Sequence, residues 1–181
     1  MKKFKLTSEF IVDISGVKLF RIKALIEFGN VKAGDLGGYI EKEENLSHMG
    51  NAWVSGNARV SGNARVSSNA RVSGDAQVFG DARVSGNAQV FGDARVSGDK
   101  DYAYAHGFGS CNRTTTFFRL KDGDVGVRCG CFYGTLAQFR DNVCETHGET
   151  KKAQEYLMLA DLMELRFEED ENEVGNRKYV E

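Results

Sequence analysis

Residues 50–61 read Gly50-Asn-Ala-Trp-Val-Ser55 and then Gly56-Asn-Ala-Arg-Val-Ser61, and the phrase continues to Gly98-Asp99. Val recurs at 54, 60, 66, 72, 78, 84, 90 and 96, with Ala two residues ahead of each. Gly opens the units at 50, 56, 62, 74, 80, 86 and 92, and Ser68 replaces it once. Self-similarity at a fixed period marks a repeat architecture and is read before any local propensity. A period of six is three strand periods of two and fits no multiple of 3.6. Each unit therefore sets Ala and Val on one face of a short extended segment. The intervening Arg or Gln, Trp53 in the first unit, points the other way. Gly followed by Asn or Asp turns the corner, because these residues tolerate positive φ and local side-chain turns. Equal strands joined by equal corners close into a solenoid with Ala and Val stacked inside.

Val-Ser-Gly-Asn-Ala-Arg resembles the hexapeptide repeat of left-handed parallel β-helix proteins. The phrase from Val31 to Ser47 that leads into the repeats resembles uncharacterised bacterial and phage proteins of that kind. The resemblance implies a mainly β fold, a three-sided left-handed prism of eighteen residues per coil, and a homotrimer with prisms side by side. The register extends backward through Leu46 and Ile40 in the Ala slot, giving just over three coils. At about 4.8 Å per layer such a prism is only on the order of 15 Å tall, so it needs caps at both ends. Stacking at that coil length aligns Trp53, Arg71 and Gln89 on one side, Arg59, Gln77 and Arg95 on another, and Arg65 with Arg83 on the third. Phe79 and Phe91 replace the usual Ser, and with Trp53 they are the expected contacts to another subunit or a flanking unit. The alternative is isolated surface aromatics.

The chain has 181 residues and a formal charge of −2. A dedicated nucleic-acid binder would be basic, and the Arg rows are nearly cancelled by Asp75, Asp81, Asp93 and Asp99. Nucleic acid is therefore not expected as a partner. Four Cys at 111, 129, 131 and 144 do not form a secreted disulfide framework. Asp13 and Lys18 interrupt any signal-like apolar run, and no stretch is long enough to span a membrane. These features point to a cytoplasmic protein, in the bacterial host cytosol if phage-encoded.

Four segments follow. Residues 1–37 are an N-terminal hairpin cap, with strands at Phe10–Ile14 and Val17–Ile26 about the Ser15-Gly16 turn; Phe20, Ile22, Ala24 and Ile26 share the face that covers the first coil. Residues 38–100 are the β-helix, which ends where Lys100 would enter an inner Ala slot and Tyr102 takes the next Val slot. Residues 101–167 form a ββαα unit with strands at Thr114–Leu120 and Val125–Phe132. Its first helix opens with a Thr135–Gln138 capping box and carries a Leu136, Phe139, Val143 stripe. Its second helix, capped by Thr150, turns Ala153, Tyr156, Leu157, Ala160, Leu162 and Met163 inward. Residues 168–181 are an acidic tail, read as disordered or solvated.

The best binding candidate is the segment from His106 to Thr116, read as a loop between prism and hairpin. Gly107 and Gly109 allow close backbone approach, and Ser110, Asn112, Thr114, Thr115 and Thr116 offer short polar side chains. Arg113 offers a fork suited to phosphate or carboxylate. The ligand expected there is small and anionic, of nucleotide type, held between the prism and the C-terminal unit or between subunits. The phage-like resemblance, carried also by Cys129-Gly-Cys-Phe-Tyr-Gly-Thr-Leu136, implies one specific version, a counter-defence sponge that sequesters an immune signalling nucleotide. The alternative for the segment is a polar linker, and for the protein a structural or protein-binding scaffold. Cys129, Cys131, Cys144 and His147 have the donor types of a Cys₃His zinc site, against the alternative of thiols packed as small apolar groups, and no metal ligand is assigned. Many hexapeptide proteins are acyltransferases with a His base, but no His falls between Gly50 and Asp99, and fold alone does not license the activity. No cofactor is expected: no Lys-Ser/Thr follows Gly34, Gly37 and Gly38, which excludes a phosphate-binding loop.

Overall fold

The computed structural model describes residues 2–168. An antiparallel hairpin, β1 (Phe4–Val12) and β2 (Lys18–Ala24), opens the chain, and β3 (Leu36–Ile40) pairs antiparallel with β2. The Asp13 carboxylate accepts from the amides of Ser15 and Val17 at 2.8 and 2.9 Å, and Gly16 takes a φ of +80° between them. This turn ends β1 at Val12, and pairing of Phe4 with Ala24 starts the strand at Phe4, where the sequence suggested Phe10–Ile14. Ile22 and Ala24 lie on the covered face as expected and join the solenoid core.

Each hexad then gives a two-residue strand made of its Arg, Gln or Trp and its Val. These are β4 (Trp53–Val54), β5 (Arg59–Val60), β6 (Arg65–Val66), β7 (Arg71–Val72), β8 (Gln77–Val78), β9 (Arg83–Val84), β10 (Gln89–Val90) and β11 (Arg95–Val96). They stack in parallel as β4-β7-β10, β5-β8-β11 and β6-β9, a β-solenoid of about three turns. Register pairs Val54, Val72 and Val90 on one wall, Val60, Val78 and Val96 on the next, and Val66 with Val84 on the third. Every Ala and Val of the series is fully buried. Ala fits where the three walls converge, because a larger side chain would overpack so narrow a core.

The ladder has one direction. Each outward residue donates its amide to a carbonyl of the following coil, as Arg59 does to Ala76 at 2.9 Å and Ser61 to Val78 at 3.0 Å. The corners repeat the motif in side chains. The Asn57 amide donates to Asp75 and the Asn63 amide to Asp81, both at 3.1 Å, while Asn51, Asn69 and Asn87 form an unbroken amide ladder. At Ser68 a φ of +59° holds a side chain in the conformation that glycine supplies elsewhere without strain.

The backward extension differs by two residues from the sequence register. Ile40 pairs with Val60 and Leu46 bridges to Val66, so both fill Val slots, not Ala slots. Seven residues separate Leu46 from Val54, where five separate successive Val. The added length emerges as a wider corner that carries Met49 outward, 79 % exposed. On the wall reached by β3 the strand itself continues upward, with the Tyr39 amide donating to Ala58 at 2.9 Å. Above the other two walls the described residues form no named strand: the β6-β9 wall keeps the Leu46–Val66 bridge, with the Ser47 amide on Val66 at 2.9 Å, and side chains take the remaining carbonyls. Asn45 Nδ2 donates to Gly62 and Ala64 at 3.2 and 2.8 Å, and Lys3 Nζ donates to Gly50 and Ala52 at 3.3 and 2.8 Å. The Lys3 ammonium also lies 4.7 Å from the Phe28 ring centre. Burial lowers its pKa from 10.5 to about 8.

Beyond the last coil, Lys100 is exposed, and Tyr102 turns into the solenoid core with its hydroxyl on the Arg83 carbonyl. An antiparallel sheet follows in the order β12 (Tyr102–Phe108), β13 (Arg113–Arg119), β14 (Val125–Cys129), β15 (Phe132–Thr135). The unit is therefore ββββαα, where the sequence suggested ββαα. Gly130, at a φ of +60°, splits the second expected strand into two. The first strand went unread because its alternating Tyr102, Tyr104, His106 and Phe108 are separated by Ala and Gly. Helix α1 (Leu136–His147) has the expected capping box, with Thr135 and Gln138 bonding reciprocally at 2.9 and 3.3 Å, and α2 (Lys151–Phe167) is capped by Thr150. The sheet divides two cores. Tyr102, Phe118 and Leu120 pack on the solenoid; Phe117, Val127 and Cys129 pack on Phe139, Val143, Tyr156, Ala160 and Met163 of the helices. Leu162, expected inward, is 54 % exposed.

Candidate binding surfaces

The segment from His106 to Thr116 is mostly strand. His106, Gly107 and Phe108 end β12, Thr114, Thr115 and Thr116 lie in β13, and Gly109 to Asn112 make the turn between them. The pleat sends its polar groups in different directions. Thr116 faces the solenoid and its hydroxyl accepts from the Gln89 amide at 2.9 Å. Thr115 faces the helices, is buried, and donates to Cys129 Sγ at 3.2 Å. The His106 ring shares a 2.9 Å hydrogen bond with the Thr114 hydroxyl. The structure thus does not bring all nine expected residues to one site.

The turn itself is a tighter constellation. The Gly109 amide donates to the Glu155 carboxylate at 2.8 Å, and the Ser110 amide donates to the Tyr156 hydroxyl at 3.1 Å. Cys111 and Asn112 hold φ of +60° and +48°. Burial raises the Tyr156 pKa above its ordinary value. Asn112 and Arg113 are exposed beside this turn. On the second helix, Glu155 was not singled out in the sequence, and Tyr156 was named only as part of the inward apolar face. Their signal was present only as two polar groups on the inward side of an apolar helix.

Cys129 is buried, while Cys111, Cys131 and Cys144 are exposed and free. His147 stacks on Tyr156 at 5.7 Å between ring centres. Among the described residues, no three His, Cys, Asp or Glu side chains converge as metal ligands would.

The three outward aromatics are covered to different degrees by their own chain. Trp53 is 6 % exposed and meets the Phe28 ring edge-on at 5.4 Å. Phe91 meets Tyr133 at 5.1 Å, with the Arg128 guanidinium 4.9 Å from its ring centre. Both pack on flanking units, so Trp53 in particular offers little surface to a second subunit. Phe79 lies in a groove of about 780 Å³ on the outer face of the β5-β8-β11 wall. Arg59, Gln77 and Arg95 form its floor, the Asp13–Val17 turn overhangs one side, and Lys121 lies at its edge. A second groove, of about 1190 Å³, follows the β6-β9 wall past Arg65, Arg83, Lys42 and His48. Glu43 in that groove is held below the usual carboxylate range by its 2.9 Å hydrogen bond to Lys2. In both grooves acids and bases alternate, so neither presents a field of one sign.

A family model described as the YdcK beta solenoid repeat matches residues 52–68, 76–90 and 88–99. These matches lie wholly within the repeat region. No curated protein matches the chain.

Proposed function

We propose that this chain, a β-solenoid repeat protein, works by binding and not by catalysis, and that its ligand is a small anion taken at the Gly109–Arg113 turn. One observation carries the reading: the Gly109 amide already holds a carboxylate, that of Glu155, at 2.8 Å. Positive-φ residues in series turn backbone amides toward one side, a geometry that suits anions. The exposed Arg113 guanidinium adds a planar fork beside it. Glu155 is then an internal competitor which an incoming phosphate or carboxylate displaces. A nucleotide is the version that the phage-like resemblance favours, and sequestration by a homotrimer is its finer form.

A thermal-shift screen with nucleotides and inorganic polyphosphate tests this, since a ligand that binds the folded state raises the melting temperature. A shift with at least one anion is expected. It should vanish in Arg113→Ala and grow in Glu155→Ala, which removes the acceptor and frees the amide. No shift across the panel removes the reading.

A second reading, a protein-binding scaffold, is favoured by the groove over Arg59, Gln77 and Arg95, because both flanking units border it. It predicts that charge reversal at Arg59 and Arg95 abolishes partner capture while Arg113→Ala leaves it intact. Acyl transfer would instead show as turnover of an acyl-coenzyme donor lost in His106→Ala.

A further inference from the structure

The outward rows of the solenoid obey two different rules. On two walls no Arg lies directly over another, because Gln77 separates Arg59 from Arg95, and Trp53 and Gln89 flank Arg71. On the third wall Arg65 and Arg83 are register partners. Both are exposed, and adjacent strands set their backbones about 4.8 Å apart. Like charges directly opposite one another in a sheet repel. This wall floors the groove of about 1190 Å³ that Lys42 also lines. By position the acids and bases of that groove alternate, but they differ in what engages them. Lys2 bonds both oxygens of Glu43 at 2.9 Å, with His48 Nε2 at 3.8 Å, and Asp81 accepts from the Asn63 amide at 3.1 Å. Among the described residues no ion pair forms on Arg65, Arg83 or Lys42. With Glu43 offset by Lys2, these three cations face only Glu44 and Asp81.

We infer that Arg65 and Arg83 clamp an oxyanion between them, and that the group they take is a terminal phosphate. A guanidinium offers a planar fork of N–H donors that fits phosphate in bidentate fashion. A terminal phosphate carries three strong acceptor oxygens and close to two negative charges at neutral pH. It can therefore serve both forks and leave an oxygen for the Lys42 ammonium, whereas a carboxylate has two oxygens and one charge. Bound there, the anion also removes the repulsion that the paired Arg side chains feel without it. The other two walls need no such partner, because Gln or Trp already separates their cations. The site shares no residue with the Gly109–Arg113 turn, so it stands or falls apart from that reading.

The test is calorimetric titration of the full chain carrying Arg113→Ala, so that the turn is silent, with inorganic phosphate, a sugar phosphate and acetate. Both phosphates should bind, and acetate about tenfold more weakly or not at all. Tighter binding of the sugar phosphate assigns the site to an ester, and equal binding assigns it to the free ion. Adding Arg83→Gln should weaken phosphate about tenfold and leave the far-ultraviolet circular dichroism unchanged, since Gln holds the equivalent position at 77 and 89. Arg95→Gln removes the same charge from a wall without adjacent Arg and should leave the affinity within about twofold. No binding of either phosphate, acetate bound as tightly as phosphate, binding that survives Arg83→Gln, or an equal loss in Arg95→Gln would each overturn the proposal.

Discussion

At the N-terminal end of the solenoid the groups left open by the ladder are carbonyls, and at the C-terminal end they are amides. The amides that bond between coils donate toward the following coil, so the first coil lacks donors above it and the last lacks acceptors below it. The flanking units supply what each end is missing. Lys3 and Asn45 bring N–H groups to four carbonyls at the first coil. At the last, Asp99 accepts from Arg83 at 2.9 Å, Thr116 from Gln89 at 2.9 Å and Asp101 from Ser97 at 2.7 Å. The apolar seals differ as well. Phe4 and Ile22 close the first coil from a hairpin that continues one wall as sheet. Tyr102 and Phe118 close the last from a separate sheet, joined to the solenoid by the Ala94–Leu120 bridge, the Lys121 amide on the Asp93 carbonyl, and the Thr116 and Tyr102 hydroxyls. A parallel solenoid therefore has a polarity, and its two caps cannot be exchanged, because buried backbone groups must find partners of the right kind.

The largest break in this comparison is expected from the apolar seals. Phe118→Ala should cost about 3–5 kcal/mol in urea unfolding, and Phe4→Ala about the same. If either variant lost under about 1 kcal/mol, that end would not be closed by its aromatic ring. Next comes the polarity itself. Asn45→Asp turns a donor into an acceptor facing the buried Ala64 carbonyl and the half-buried Gly62 carbonyl and should cost about 3 kcal/mol. Asp99→Asn keeps an acceptor oxygen and should cost about 1 kcal/mol or less. Equal losses in the two variants would show that hydrogen-bond direction does not govern the caps.

Lys3→Met should cost about 1–3 kcal/mol at neutral pH by leaving the buried Ala52 carbonyl and the half-buried Gly50 carbonyl without this donor. Its pH dependence has a definite sign. The folded-state value is about 8 against 10.5 in the unfolded chain, so between these limits the unfolded state binds more protons. The stability tied to this amine therefore rises with pH through that window. The difference between the native chain and Lys3→Met should widen from pH 8 to 10.5. A difference that stays flat would mean that the buried amine does not titrate in that range. The smallest effect is a gain: Ser68→Gly relieves a positive φ and should stabilise by about 0.5 kcal/mol, read as a rise of ~1–2 °C in melting temperature.

The solenoid was legible because its information is local and repeated: Ala52 to Val96 specify inside, outside and corner in every hexad, and parallel stacking only multiplies that pattern. The candidate site was legible in part. Gly109, Ser110 and Arg113 could be named from the sequence, but Thr115 and Thr116 were grouped with them although adjacent strand residues point to opposite faces. Glu155 and Tyr156 lie some forty-six residues beyond the turn, and nothing local marks them as its partners.

The sequence by itself determined the repeat, its period, the buried Ala and Val faces and the two helices with their Thr caps, because each follows from spacing within a few residues. Only the tertiary structure decided which residues complete the solenoid's ends, that Ile40 and Leu46 take Val slots, that residues 102–108 form a strand, and that Leu162 faces outward. Those outcomes depend on which open backbone groups and apolar surfaces meet across long stretches of chain, and no local pattern encodes that choice.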